Sequence, residues 1–227
     1  MWRSWFLTRI HNQIVNHEPL TQPRGSVWIG GFPRSGNTFA SAFVEYMTTC
    51  GHVEKHIHSP AQVLKFAQSA DRGLVVFRRP INACISLSIF SGIELEQAFQ
   101  NYIDFHNILL QHGKNICWAN FDWFTKSPLN IIELLNLESK INRERIEEFK
   151  NQPDRTMQEV YKRVDDNWIS KPDEIFQRQT ARPNVTREIL KTKLERSVLE
   201  SEYLMIRLNI ANSIFEKIEN QSRKKCG

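Results

Sequence analysis

The sequence predicts an α/β fold: a layered domain with a central, mainly parallel sheet flanked by helices, and a helical C-terminal part. Three observations carry this. Short apolar runs, Val27 to Ile29 and Leu74 to Phe77, alternate with longer stretches whose apolar residues recur at helical spacing. Both runs pass through a tight turn directly into such a stretch, the strand-to-helix order of a parallel sheet. Beyond about residue 140 the pattern is helical and charged throughout.

In chain order, residues 1–25 form a leading segment with room for one helix, ended by Pro19, Pro23 and Gly25. Val27 to Ile29 is a buried strand, Gly30 to Gly36 a glycine-bearing turn, and Asn37 to Met47 a helix with Phe39, Ala42, Phe43, Tyr46 and Met47 at helical spacing. Gly51, after Cys50, is placed to close that helix in a left-handed conformation. His52 to Pro60 reads as a short strand and a turn. Ala61 to Ala70 reads as a short helix that stops before Asp71 to Gly73. Leu74 to Phe77 is continuously apolar, the mark of a strand buried on both faces. After Arg78 and Arg79, Pro80 suits the first turn of a helix running from Ile81 to Phe90. Glu94 to Leu110 is strongly amphipathic, Asn115 to Ala119 is another strand, and Ser127 is placed to cap a helix from Pro128 through Leu135. Helical patterns follow at Arg143 to Lys150, Thr156 to Val164 and Thr186 to Lys217, punctuated by Pro153, Pro172 and Pro183. With no internal repeat, residues 1–227 are expected to form a single domain.

Composition narrows the function classes. Of the 227 residues 41% are hydrophobic and 24% charged, the balance of a soluble globular protein. The formal charge of +5 suits a polyanionic ligand, although Arg223, Lys224 and Lys225 supply much of it. No nucleic-acid-binding module is recognisable, so no nucleic acid partner is expected. Cys50, Cys84, Cys117 and Cys226 are far apart and form no CxxC pair, which argues against a disulfide framework or a zinc site and for a cytoplasmic location. No apolar run approaches the ~20 residues needed to span a bilayer, and the N-terminal apolar residues are broken by Arg3 and Arg9.

The turn from Gly30 to Gly36 has the build of an anion seat. A strand turning sharply into a helix leaves the first N–H groups of that helix outside its hydrogen-bond ladder, where a phosphate or sulfate oxygen can accept them. Gly31, Gly36 and Thr38 fit the GxxxxGK[ST] frame of nucleotide triphosphatases, but Asn37 stands where the lysine that reaches the terminal phosphates belongs. A cation, Arg34, sits inside the turn instead. A glycine-rich turn with no ligand is the alternative.

The segment Pro33-Arg34-Ser35-Gly36-Asn37-Thr38-Phe39 resembles the 5′-phosphosulfate loop of the sulfotransferase family, commonly Pro-Lys-Ser-Gly-Thr-Thr-Trp. Arg78, Pro80 and Ser86 match in type and spacing the family's 3′-phosphate segment, Arg-Asn-Pro-x-Asp-x-x-x-Ser; Arg79 and Asn82 depart from it. Between the two lies Lys55-His56-Ile57-His58-Ser59-Pro60, similar to the family's Lys-x-His-x-Pro. By that resemblance His58 is the expected catalytic base, with His56 in reserve. Phe121, in Asn120-Phe121-Asp122, resembles the position of an aromatic residue beside the adenine. At Phe121 and Phe39 alike, a place in the core is the competing reading. The family's closing motif, Arg-Lys-Gly-x-x-Gly-Asp-Trp, has no counterpart; Arg178 or Arg182, in the basic stretch from Gln177 to Arg187, stands in the right region.

The resemblance covers residues 27–135 and implies a P-loop-type fold. It also implies transfer of a sulfuryl group from 3′-phosphoadenosine 5′-phosphosulfate to a hydroxyl or amine of a small molecule or carbohydrate, leaving adenosine 3′,5′-bisphosphate, with no metal. Arg34 would then act on the leaving group, and Pro33, Ser35, Gly36, Asn37, Thr38, Phe39, Arg78, Ser86 and Phe121 would line the cofactor site. His52, His56 and His58 as a metal cluster are disfavoured, because no carboxylate or cysteine at ligand spacing completes them. Two rivals stay open: a P-loop kinase using ATP and magnesium, and a non-catalytic nucleotide-binding protein.

Overall fold

The computed structural model describes residues 27–68, 72–113, 116–166 and 185–225. The leading segment, Arg178 and Arg182 lie outside these residues. The described chain is α/β, with a four-stranded sheet in the order β2-β1-β3-β4. Its strands are β1 (Val27–Gly31), β2 (Val53–Ile57), β3 (Arg72–Phe77) and β4 (Trp118–Asn120), every pairing parallel. Parallel neighbours need crossover connections. Here these contain α1 (Asn37–Met47), then α2 (Pro60–Ala67), then α3 (Pro80–Ser91) with α4 (Leu95–His112). After β4 come α5 (Phe121–Lys126), α6 (Asn130–Leu134), α7 (Arg143–Asn151), α8 (Pro153–Asp166), α9 (Val185–Glu200) and α10 (Glu202–Lys225).

The two-residue period of a strand divides the core into two layers. Val27, Ile29, Leu74 and Val76 face one side, against Phe39, Phe43 and Met47 of α1 and Val160 of α8. Trp28, Val75 and Phe77 face the other, against Phe99, Tyr102 and Leu109 of α4 and Ala211, Ile214 and Ile218 of α10. Leu74 through Phe77 are fully buried, which is why that run carries no polar residue. Each such side chain removed from water stabilises the fold by about 1.5–3 kcal/mol before entropy is counted.

Several boundaries differ from the sequence expectation. Helix α1 ends at Thr48, three residues before Gly51, because the chain is taken up there by an antiparallel bridge between Thr48 and Ile141. Ser127 does not cap α6; it ends α5, a helix the sequence did not announce. Asn120 starts α5 instead, its side-chain oxygen accepting from Asp122 N–H at 2.8 Å. The long C-terminal pattern is two helices, broken at Ser201. Among the described residues no helix is long and apolar enough to cross a membrane.

Candidate functional site at the carboxyl ends of the strands

Strands β1 and β3 lie side by side, Gly31 opposite Val76, so the turns that leave them open onto the same edge of the sheet. That edge is where ligands bind in open parallel sheets. The first turn is held in shape by backbone geometry. Gly31 has φ +148 and Gly36 φ +100, and a Cβ on Gly31 would stand 2.3 Å from Val76 O. Arg34 takes φ 68, a left-handed conformation that costs a non-glycine residue about 1 kcal/mol or more. Ala40 N–H is the first to join the ladder of α1, donating to Gly36 O at 3.0 Å. Helix geometry therefore leaves the N–H groups of Asn37, Thr38 and Phe39 outside that ladder.

Around this turn two guanidinium groups meet at one hydroxyl and a third stands on the Arg34 carbonyl. Arg34 Nε donates to Ser86 Oγ, on α3, at 3.2 Å, and Arg187 Nη2, from the first turn of α9, donates to the same oxygen. Arg78 Nη1 donates to Arg34 O at 3.3 Å. The Arg34 guanidinium also lies over the Phe90 ring at 4.9 Å, and that of Arg78 over the Phe121 ring at 4.3 Å. Phe121 in turn covers Gly36, whose place a Cβ could not share: it would stand 2.3 Å from the ring.

Burial, then the charges of Arg187 and Arg78, push the Arg34 guanidinium down to about 9. Arg78 is lowered by burial and by Arg187, with Asp122 and Glu188 pulling the other way. Arg187 is lowered by burial against the pull of Glu188. Arg34 and Arg78, lowered first by burial and then by neighbouring guanidinium charge, stand in a field that favours an anion. Arg78 Nε and Ser35 Oγ are buried without a hydrogen-bond partner among the described residues, donor capacity that such an anion can use.

The histidine side of the site is built on one carbonyl. His58 follows β2 directly, and its Nδ1 lies 2.9 Å from Gly31 O. A carbonyl only accepts, so in the neutral ring Nδ1 carries the proton and Nε2 the lone pair. Asn37 Nδ2 donates to the same oxygen at 3.1 Å and lies 3.4 Å from His58 Nδ1.

The structure thus brings together Arg34, Ser35, Gly36, Arg78, Ser86, Phe121 and His58, with Pro33 and Thr38 on the same turn. It turns two others inward. The Asn37 side chain is 3% exposed and faces the Gly31 carbonyl, which explains why this position carries no lysine. Phe39 packs in the core, its ring 6.0 Å from Phe124 and 5.6 Å from Tyr161, so the core reading holds for it. The Phe121 ring packs on Phe124 at 5.6 Å and also lies against Gly36 and under the Arg78 guanidinium.

Arg187 was missed by sequence reasoning, although it ends the basic stretch that drew attention to Arg178 and Arg182. One signal was available. A cation in the first turn of a helix opposes the helix dipole, so Arg187 at the start of α9 is placed against local preference. Such a residue points to an interaction elsewhere in the fold. Among the described residues no group of three His, Cys, Asp or Glu side chains could hold a metal ion. Comparison with family models, with curated proteins and with solved structures returns no match.

Proposed function

We propose that this protein is a sulfotransferase that uses 3′-phosphoadenosine 5′-phosphosulfate and passes the sulfuryl group to a hydroxyl or amine acceptor. The observation that carries the reading is the meeting of the two strand-end turns, through Arg34 Nε and Ser86 Oγ at 3.2 Å, with His58 beside them on the Gly31 carbonyl at 2.9 Å. This supports the reading because a nucleotide with phosphate at both its 3′ and 5′ ends calls for one basic surface that serves both. When bound, the donor supplies an activated sulfuryl group: the acceptor oxygen gains a bond to sulfur, and the bridging oxygen leaves with the electron pair on adenosine 3′,5′-bisphosphate.

The residues divide the work accordingly. The first N–H groups of α1, Thr38 and Arg34 hold the 5′ end and stabilise charge at the bridging oxygen. Arg78 and Ser86 hold the 3′-phosphate, Arg78 through a planar fork of donors backed by the Phe121 ring. His58 accepts the acceptor's proton at Nε2, its tautomer set by Gly31 O. A kinase reading needs a lysine at position 37, where the Asn37 side chain is instead committed to the backbone.

The test is thermal stability with adenosine 3′,5′-bisphosphate against ATP and magnesium. A ligand at ~100 times its dissociation constant adds ~2.7 kcal/mol, which is visible as a shift in Tm. The expected result is a shift with the bisphosphate. A shift with magnesium ATP and none with the bisphosphate would overturn the reading in favour of a kinase.

A further inference from the structure

We propose that Asn37 is the positioning residue for the histidine side of the site: its side chain holds the Gly31 carbonyl that sets the tautomer of His58, while its backbone N–H belongs to the anion seat. One residue thereby joins the turn to the base. The role of His58 as base rests on the functional reading above; the contacts of Asn37 do not.

The contacts lie at the root of the turn. Phe32 is anchored there by its ring, 5.1 Å from Tyr102 and 5.9 Å from Phe105, and Phe32 O accepts from Ser35 N–H at 3.2 Å, which closes the turn. Asn37 Nδ2 stands over two successive carbonyls, 3.1 Å from Gly31 O and 3.5 Å from Phe32 O. Asn37 Oδ1 is buried with no hydrogen-bond partner among the described residues, and a Cβ on Gly31 would stand 2.8 Å from it. Turned over, the amide would set this oxygen against two carbonyl oxygens, so the donor end is fixed on the backbone. A buried acceptor left unpaired is costly, and an amide kept here at that cost points to a use for its donor end.

That use is the shared carbonyl. Gly31 O accepts from Asn37 Nδ2 and, at 2.9 Å, from His58 Nδ1, so its two lone pairs serve the two side chains. An imidazole acts as a general base only through the nitrogen that lacks the proton, and the partner of the other nitrogen decides which one that is. Gly31 O takes a proton from Nδ1, whereas Asn37 Nδ2, 3.4 Å from Nδ1, could only give one to it. The carbonyl is the nearer group, and it keeps the amide protons of Asn37 turned to itself. Without the amide, a glycine carbonyl with φ +148 has the freedom to rotate away from His58. The ring would then lose the acceptor that leaves its lone pair on Nε2.

The experiment is long-range proton–nitrogen correlation of the histidine rings in the nitrogen-15-labelled full chain, without ligand, at about pH 8.5, where an ordinary imidazole is neutral. It compares the wild type with Asn37→Ala and Asn37→Ser, and His58→Gln identifies the His58 signals. In the wild type His58 should show the Nδ1–H pattern. In Asn37→Ala the ratio of the Nδ1–H to the Nε2–H form should fall by about 2- to 10-fold, the range of one hydrogen bond. Asn37→Ser, with one hydroxyl in place of the amide, should fall between. His106, whose Nδ1 stands on Tyr102 O at 2.8 Å within its own helix, should keep its pattern in every variant.

A wild-type His58 in the Nε2–H form would overturn the inference with no substitution made. An unchanged ratio in Asn37→Ala alongside a lowered Tm would overturn it too, leaving Asn37 a structural residue of the turn. So would a change shared by His106, which reports a general loosening of the fold. With no ligand present these outcomes fall on Asn37 alone, whereas failure of the thermal test with adenosine 3′,5′-bisphosphate falls on the functional reading.

Discussion

Two histidines, His58 and His106, make the same hydrogen bond in different surroundings. His58 Nδ1 meets Gly31 O at 2.9 Å, and His106 Nδ1 meets Tyr102 O at 2.8 Å, so in each neutral ring the lone pair falls on Nε2. His58 is half-buried at the end of β2, beside the arginine-lined turn. His106 is fully buried in α4, its ring 4.0 Å from Tyr102, 5.0 Å from Phe105 and 5.9 Å from Phe32. Its Nε2 has no partner among the described residues. Burial pushes His106 down to about 4, so it is neutral at physiological pH and acts as a flat ring among rings. A backbone carbonyl can fix a tautomer in either place; the surroundings decide whether the second nitrogen does chemistry.

The sharpest way to break this comparison is to remove each ring. In His58→Ala, sulfuryl transfer to an acceptor should fall by about 10²–10⁴-fold, while the Tm shift with adenosine 3′,5′-bisphosphate stays. Retained turnover would place the base elsewhere, with His56 next in line. His106 should instead show itself in stability. Its folded value of about 4 lies below the unfolded value near ~6.5, so between these the unfolded chain binds a proton that the native state refuses. Stability should therefore fall as pH drops from about 6.5 to about 4, by about 3 kcal/mol if the whole difference is realised. Denaturant unfolding across this range should show a flatter pH dependence for His106→Leu than for the wild type. An equally steep fall in both would assign the acid sensitivity to other groups. The smallest effect is expected at Arg79, beside the site in sequence but not in function. Its ion pair with Asp122, at 3.4 Å, has side chains 67% and 42% exposed, so Arg79→Ala should change stability by less than about 1 kcal/mol. Bisphosphate affinity should stay within about threefold; a larger loss would make Arg79 part of the cradle.

Local patterns were legible wherever one periodicity ruled a segment. Asn37 to Met47 was read to the residue, because five apolar side chains and a preceding glycine turn agree. Leu74 to Phe77 declared its double burial by carrying no polar residue. The glycine turn and Arg78 could be placed on one edge because strand-to-helix turns in a parallel sheet share it, whereas Ser86 and His58 were named through the resemblance to the sulfotransferase segments. Phe39 and Phe121 could not be separated in advance: each is an aromatic residue next to a turn and each packs on Phe124, at 6.0 Å and 5.6 Å, and only the tertiary structure also lays Phe121 on Gly36 and Arg78. Asn37 likewise looked like a substituted ligand-binding residue until its amide was found on the Gly31 carbonyl. Helix α5 escaped notice because it is six residues long, too short to show a period.

The sequence by itself determined the α/β alternation, the two strand-end turns and the residue types gathered on them, since these depend on contacts within a few residues and on the fixed hand of strand-helix-strand connections. The tertiary structure alone decided which cations meet. Ser86 is reached by Arg34 from 52 positions before it and by Arg187 from 101 positions after, separations over which the chain carries no local signal. Packing of α9 against α3 and α10 brings the last of them in, and that packing is set by shape and burial over the whole core.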